Sequence, residues 1–189
     1  MRQFAWVLIV IGGSLAVAAH AQNATNAPPT EIENFEMQTD TVIVKGFEQV
    51  GSMTTSGGTL WVRCKESANE ATGRREYGIA VEFESNPPRR EFLIVDYDEL
   101  DSLIGGLDFL GKISHDVTLM SAFDATFTTK SGLRIAAHSE RQQGGIQTFL
   151  QLGDWPRMPL TSDQFTQFKN LISQAKTALD AIRDKNSSP

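Results

Sequence analysis

A change of hydrophobic period constrains this chain more than any motif in it. In Leu60-Trp61-Val62-Arg63-Cys64-Lys65, apolar and polar side chains alternate. Leu60, Val62 and Cys64 therefore share one face of a strand, and Trp61, Arg63 and Lys65 share the other. Tyr77, Ile79, Val81 and Phe83 alternate in the same way against Glu76, Glu82 and Glu84, after a polar loop that suits an antiparallel hairpin. Opposed Arg63 and Lys65 on one strand and the three glutamates on the other are expected to pair, each pair contributing about 0.2–1 kcal/mol. Further strands are expected at Thr41–Val50, Glu91–Val95, Thr118–Lys130, Leu133–Glu140 and Gly145–Leu152. Ser131-Gly132 and Gly144-Gly145 fall where tight turns need positive φ.

The period then lengthens twice to that of a helix. Leu100, Leu103, Ile104, Leu107 and Leu110 form one stripe; Phe165, Phe168, Leu171, Ile172, Ala175, Leu179 and Ile182 form a longer one. Each stripe opens on capping-box chemistry, Asp96 with Glu99 and Thr161 with Gln164. Gly105-Gly106 interrupts the first stripe, at about 1 kcal/mol per residue against alanine, so either the helix ends early or something packs closely on that backbone. Sliding the chain by 65 residues superposes the two boxes and the first core position after each. The expected class is α+β: antiparallel sheets in two strand-rich halves, each closed by a helix, the match between them arising either from an internal duplication or from helix-start chemistry common to both.

Four antiparallel strands followed by a helix, twice over, resembles the plant Whirly proteins and the single-stranded-DNA-binding domain of transcriptional coactivators. The residues that carry the resemblance are the helix starts Val95-Asp96-Tyr97-Asp98-Glu99-Leu100 and Leu160-Thr161-Ser162-Asp163-Gln164-Phe165. The resemblance implies single-strand binding, yet the basic DNA-contact motifs of that family are absent and the net charge is −6. A surface for phosphate backbones works by concentrating cations. Nucleic acid is therefore not the expected partner.

The first residues read as an address. Met1-Arg2 is basic, Trp6 to Ala19 is apolar, and Ala19-His20-Ala21 before Gln22 fits a small-x-small cleavage site. The apolar run is shorter than the roughly 20 residues a spanning helix needs, so residues 1–21 are expected to be a removed signal peptide, with no stable membrane anchor. The expected location is periplasmic or secreted. Residues 22–36, with Pro28-Pro29, read as a flexible tether, residues 37–184 as one compact domain, and residues 185–189 as a disordered tail. The lone Cys64 cannot close an intrachain disulfide.

Catalytic chemistry is sparse. The chain beyond the signal segment holds two histidines, His115 and His138, and no HExxH, GxSxG, Walker or GxGxxG pattern. His115-Asp116 and His138-Ser139-Glu140 place bases beside carboxylates or a hydroxyl, but adjacent residues of an extended chain point to opposite sides. Asp96, Asp98, Glu99 and Asp101 form an acidic cluster already explained by a helix N-terminus. No catalytic residue, metal site or cofactor is assigned. The candidate binding residues are Trp61, Arg63 and Lys65, with Arg74, Arg75, Trp155 and Arg157, because aromatics beside cations on a sheet face stack rings and hold anions. Two bland readings compete: the cations neutralised across the hairpin, with Trp61 under a helix, and Trp155 plugging the end of the core. The expected function is a non-enzymatic binding or scaffolding module for a protein, peptide or glycan. The alternatives are an exported hydrolase that gathers His115, His138, Asp116, Asp124 or Glu140, and single-strand nucleic-acid binding.

Overall fold

The computed structural model describes residues 29–140 and 144–187, so the expected signal segment lies outside the described residues. A short helix, α1 (Glu31–Glu36), comes first. Strands β1 (Ile43–Thr55), β2 (Gly58–Asn69), β3 (Arg75–Ser85) and β4 (Arg90–Asp96) then pair in sequence order as an antiparallel sheet. A single 3-10 turn, Tyr97–Glu99, leads into α2 (Leu100–Lys112). The second sheet repeats the plan with β5 (Ala122–Thr128), β6 (Leu133–Glu140), β7 (Ile146–Leu152) and β8 (Met158–Leu160), followed by α3 (Ser162–Ser187). The class is α+β, with two four-stranded antiparallel sheets. β8 has no counterpart among the expected strands, since three residues around Pro159 are too few for alternation to register. Conversely, α3 continues through residues expected to belong to the tail.

The helices are exchanged between the halves. α3, which follows the second sheet, lies on β1 and β2 of the first. The Cys64 thiol on β2 sits 3.5 Å from the Ala175 carbonyl oxygen on α3, and a Cβ on Gly51 of β1 would come within 2.7 Å of Leu171. α2, which follows the first sheet, lies on β5 and β6 of the second. A Cβ on Gly106 would meet the Phe127 ring of β5 at 2.5 Å, whereas one on Gly105 would meet nothing within 4 Å. The glycine pair therefore marks a close approach, and the helix runs on through it. One core results, built on the inner strand faces (Val62, Val81, Ile135, Leu150) and the helix stripes (Leu103, Phe168).

The two helix starts share a sequence signature and differ in use. At α3, Gln164 Oε1 accepts from the Thr161 N–H at 2.9 Å and Thr161 Oγ1 accepts from the Gln164 N–H at 3.2 Å, closing the capping box. At α2 no such box forms. Asp96 makes no cap for its own helix; its carboxylate turns to α1, accepting from the N–H groups of Glu31 at 2.7 Å and Ile32 at 3.2 Å. Glu99 instead accepts from the Lys130 N–H at 2.8 Å.

Residues 31–36, expected to lie in a flexible tether, are thus a docked helix. Thr30 and Glu33 form their own capping box, and Ile32 and Phe35, three positions apart, are buried against the first sheet. Gly78 makes the room: a Cβ there would come within 2.7 Å of Ile32.

Candidate functional site

α2 and α3 occupy the inner sheet faces, so the outer faces are open to ligands wherever α1 does not reach. The outer face of the first sheet follows from the register. One row holds Phe47, Lys65, Gly78 and Asp96; the next holds Gln49, Arg63, Ala80 and Ile94; the next holds Ser52, Trp61, Glu82 and Phe92. The structure brings Trp61, Arg63 and Lys65 together here, as the alternation in β2 requires. No long helix covers Trp61, which is half-buried on this face.

The charges on this face are largely neutralised within it. Lys65 is 3% exposed, and its Nζ lies 2.7 Å from Glu36 Oε1 on α1. The expected partner across the hairpin is not used, because Lys65 faces Gly78 in the register. Glu36 also takes Lys45 at 2.6 Å and the Ser67 hydroxyl. Burial pushes the Glu36 carboxyl up, but the hydrogen bonds from Lys45, Lys65 and Ser67 outweigh it and hold the group below the usual carboxylate range. Arg63 reaches Glu82 at 3.1 Å, as the charge alternation predicts, and Arg90 reaches Glu84 at 3.3 Å and Glu82 at 3.8 Å. Two rings flank the buried ammonium: Lys65 Nζ is 5.5 Å from the Phe47 centroid and 6.0 Å from that of Phe92. Both rings also meet solvent, Phe47 at 52% exposure and Phe92 at 45%.

The remaining candidates lie elsewhere. Arg74, at the β2–β3 hairpin, stacks over Phe35 of α1 at 5.7 Å and reaches Glu76 at 3.4 Å. Arg75 pairs with Glu66 at 2.8 Å on the inner-face side of that hairpin, away from Trp61. Trp155 is 8% exposed; it meets Phe83 edge-on at 5.4 Å and is capped by the Arg89 guanidinium at 4.4 Å. It plugs the core and is not an exposed anchor. Arg157 is exposed ahead of β8 and joins none of the others. Phe47 and Phe92 were missed. Phe92 could have been found by alternation, since it stands two residues before Ile94 on the same face.

The residues considered for hydrolysis do not converge. His138 Nδ1 and Asp124 Oδ1 lie 2.9 Å apart on the outer face of the second sheet, both partly exposed. His115 Nδ1 lies 3.2 Å from Ser139 Oγ, and Ser139 points to the opposite face from its neighbour His138. Asp116 is exposed in the turn after α2, and the side chain of Glu140 lies outside the described residues. Among the described residues there is no group of three or more His, Cys, Asp or Glu side chains able to hold a metal ion. Burial pushes the Cys64 thiol up to about 11, so it is inert at neutral pH. A groove of about 340 Å³ runs between the end of α2 and the start of α3, over Leu107, Leu110, Ile146, Leu160 and Phe165. It contains none of the candidate residues.

No family model, curated protein or solved structure matches the chain. Among the described residues no helix is long and apolar enough to cross a membrane.

Proposed function

We propose that the protein is an exported, non-enzymatic binding module, and that its ligand is a polypeptide lying across the outer face of the first sheet. One observation carries this: Phe47 and Phe92 stand half-exposed beside the buried Lys65, on the same face as Trp61, and the cations of that face are already held by Glu36, Glu82 and Glu84. Neutralised charge flanking exposed rings favours an uncharged, apolar partner segment over a polyanion. It disfavours the nucleic-acid role implied by the Whirly resemblance, which needs unpaired cations along a track. Separation of His115 from His138 disfavours the hydrolase reading. Export rests on the apolar run from Trp6 to Ala19 ahead of Ala21.

The test is equilibrium binding to arrays of peptides, glycans and single-stranded oligonucleotides, with Phe92→Ser and Trp61→Ala as variants. Peptide binding weakened at least about tenfold by either change is the expected result, the usual effect of losing a central aromatic anchor. Selective glycan or oligonucleotide binding, or peptide binding that neither change affects, overturns the reading.

A further inference from the structure

We propose that the first half of β1, Ile43–Gln49, is a strand-pairing edge that takes a second copy of this chain antiparallel to itself, with the twofold axis at Gly46.

β1 is an outermost strand, pairing with β2 on one side only. Two bonds establish which of its backbone groups point outward. The Ser52 and Thr54 carbonyls are bonded by the side-chain amides of Gln167 and Gln164 on α3, at 3.2 and 2.9 Å, so these even-numbered residues turn away from β2. A bulge at Val50, between the Gln49 and Gly51 pairings, reverses the parity. Ahead of it the odd-numbered residues Ile43, Lys45, Phe47 and Gln49 present outward N–H and C=O groups. The Val42 carbonyl, bonded inward by the Glu70 N–H at 3.1 Å, agrees with that parity. The second half of the edge is therefore capped by glutamine amides. Among the described residues no side chain caps the first half, which exposes Val44 at 48% and Phe47 at 52%, next to Val42 at 65% just ahead of it.

The segment's own sequence identifies the occupant, because it is complementary to itself when paired antiparallel. Gly46 is the midpoint of the open segment. A twofold axis there sets Gly46 against Gly46 of the second copy, Lys45 against Phe47, Val44 against Glu48, and Ile43 against Gln49. The outward residues then fall in hydrogen-bonded pairs, outer face joins outer face, and no like charges are opposed. Each copy places Lys45 beside a ring of the other.

Sedimentation velocity on the chain from residue 22 onward tests this. The native chain is expected to dimerise. Val44→Glu, which opposes Glu48 of the second copy twice by symmetry, is expected to weaken the dimer about tenfold or more, while Val44→Lys at the same exposed position preserves it. Gly46→Cys is expected to cross-link under mild oxidation, since facing non-hydrogen-bonded residues lie about 4.5 Å apart, within disulfide reach. Phe47→Pro removes an outward N–H without touching the β1–β2 ladder and is expected to give a folded monomer by circular dichroism. A native chain that stays monomeric to high micromolar concentration overturns the proposal. So does equal behaviour of the two Val44 variants, or absence of the Gly46→Cys cross-link. Val44 lies off the aromatic outer face, so ligand binding by a monomeric Val44→Glu protein separates failure here from failure of the binding role.

Discussion

The outer faces of the two sheets differ although the strands beneath them follow the same plan. The first carries Phe47 and Phe92 beside a buried Lys65, with Trp61 on the same face, and α1 is docked beside them. The second carries Asp124, Thr126, Thr128, Arg134, His138 and Gln147, short or polar side chains in contact with solvent, with Phe149 as its one half-buried ring among the described residues, and no described helix lies on it. The difference is α1: between α2 and β5 the described residues form only a single 3-10 turn, His115–Val117. A segment that supplies Ile32, Phe35 and Glu36 makes it favourable to leave apolar rings and a lysine on a face that would otherwise read as polar. Lys130 ties the halves together. Extending from the β5–β6 turn of the second sheet, its ammonium lies 3.0 Å from Asp98 and 3.7 Å from Asp96, the residue that caps α1.

The largest break in this asymmetry is expected from Gly78→Ala. The added Cβ would lie 2.4 Å from the Val95 carbonyl oxygen and 2.7 Å from Ile32, and a loss of about 3 kcal/mol is expected in urea unfolding. Thr126→Val, on the bare face, should change stability by about 0.5 kcal/mol or less. Equal losses at the two positions would mean that the close approach at Gly78 is not made.

Glu36→Gln comes next, at about 2 kcal/mol, because it leaves the buried Lys65 ammonium without its anion. The pH dependence follows from the same pair. The Glu36 carboxyl is held low in the folded chain, so its contribution is complete above the ordinary carboxylate range and is lost as pH falls through the lower folded value. Stability curves of the native chain and the variant should therefore converge in acid. A gap that persists below that range would assign the loss to packing.

Lys130→Met should cost about 1 kcal/mol, the upper end for a partly exposed ion-pair cluster, and the loss should shrink with added salt. Insensitivity to salt would show that the stem of Lys130 matters more than its charge. The smallest effect is expected at His138→Gln. Its 2.9 Å contact with Asp124 is exposed, and stability should move by about 0.5 kcal/mol or less. A drop of several kcal/mol there would mean that the second face is as specifically built as the first.

Period-two alternation in β2 and β3 placed Trp61, Arg63 and Lys65 on one face because side-chain direction in a strand depends on the chain alone. It could not identify the partner of Lys65, since Glu36 lies in a segment whose prolines and short apolar stretch look like a tether. Ile32 and Phe35 are too few to announce a helix until the gap above Gly78 and the carboxylate of Asp96 receive them. Capping chemistry behaved in the same divided way. Thr161 and Gln164 close their box locally, whereas Asp96, with the same spacing to Glu99, was drawn to the N–H groups of a helix distant in the chain.

Strand and helix periods, the α+β class and the identity of the inner faces were thus properties of the sequence, because they depend on contacts between residues close along the chain. Which helix covers which sheet, which carboxylate holds which cation and which face remains open were decided only by the assembled fold. Those outcomes depend on close approach between segments far apart in the chain, as at Gly106 with Phe127 and Gly78 with Ile32. No local pattern encodes such distances.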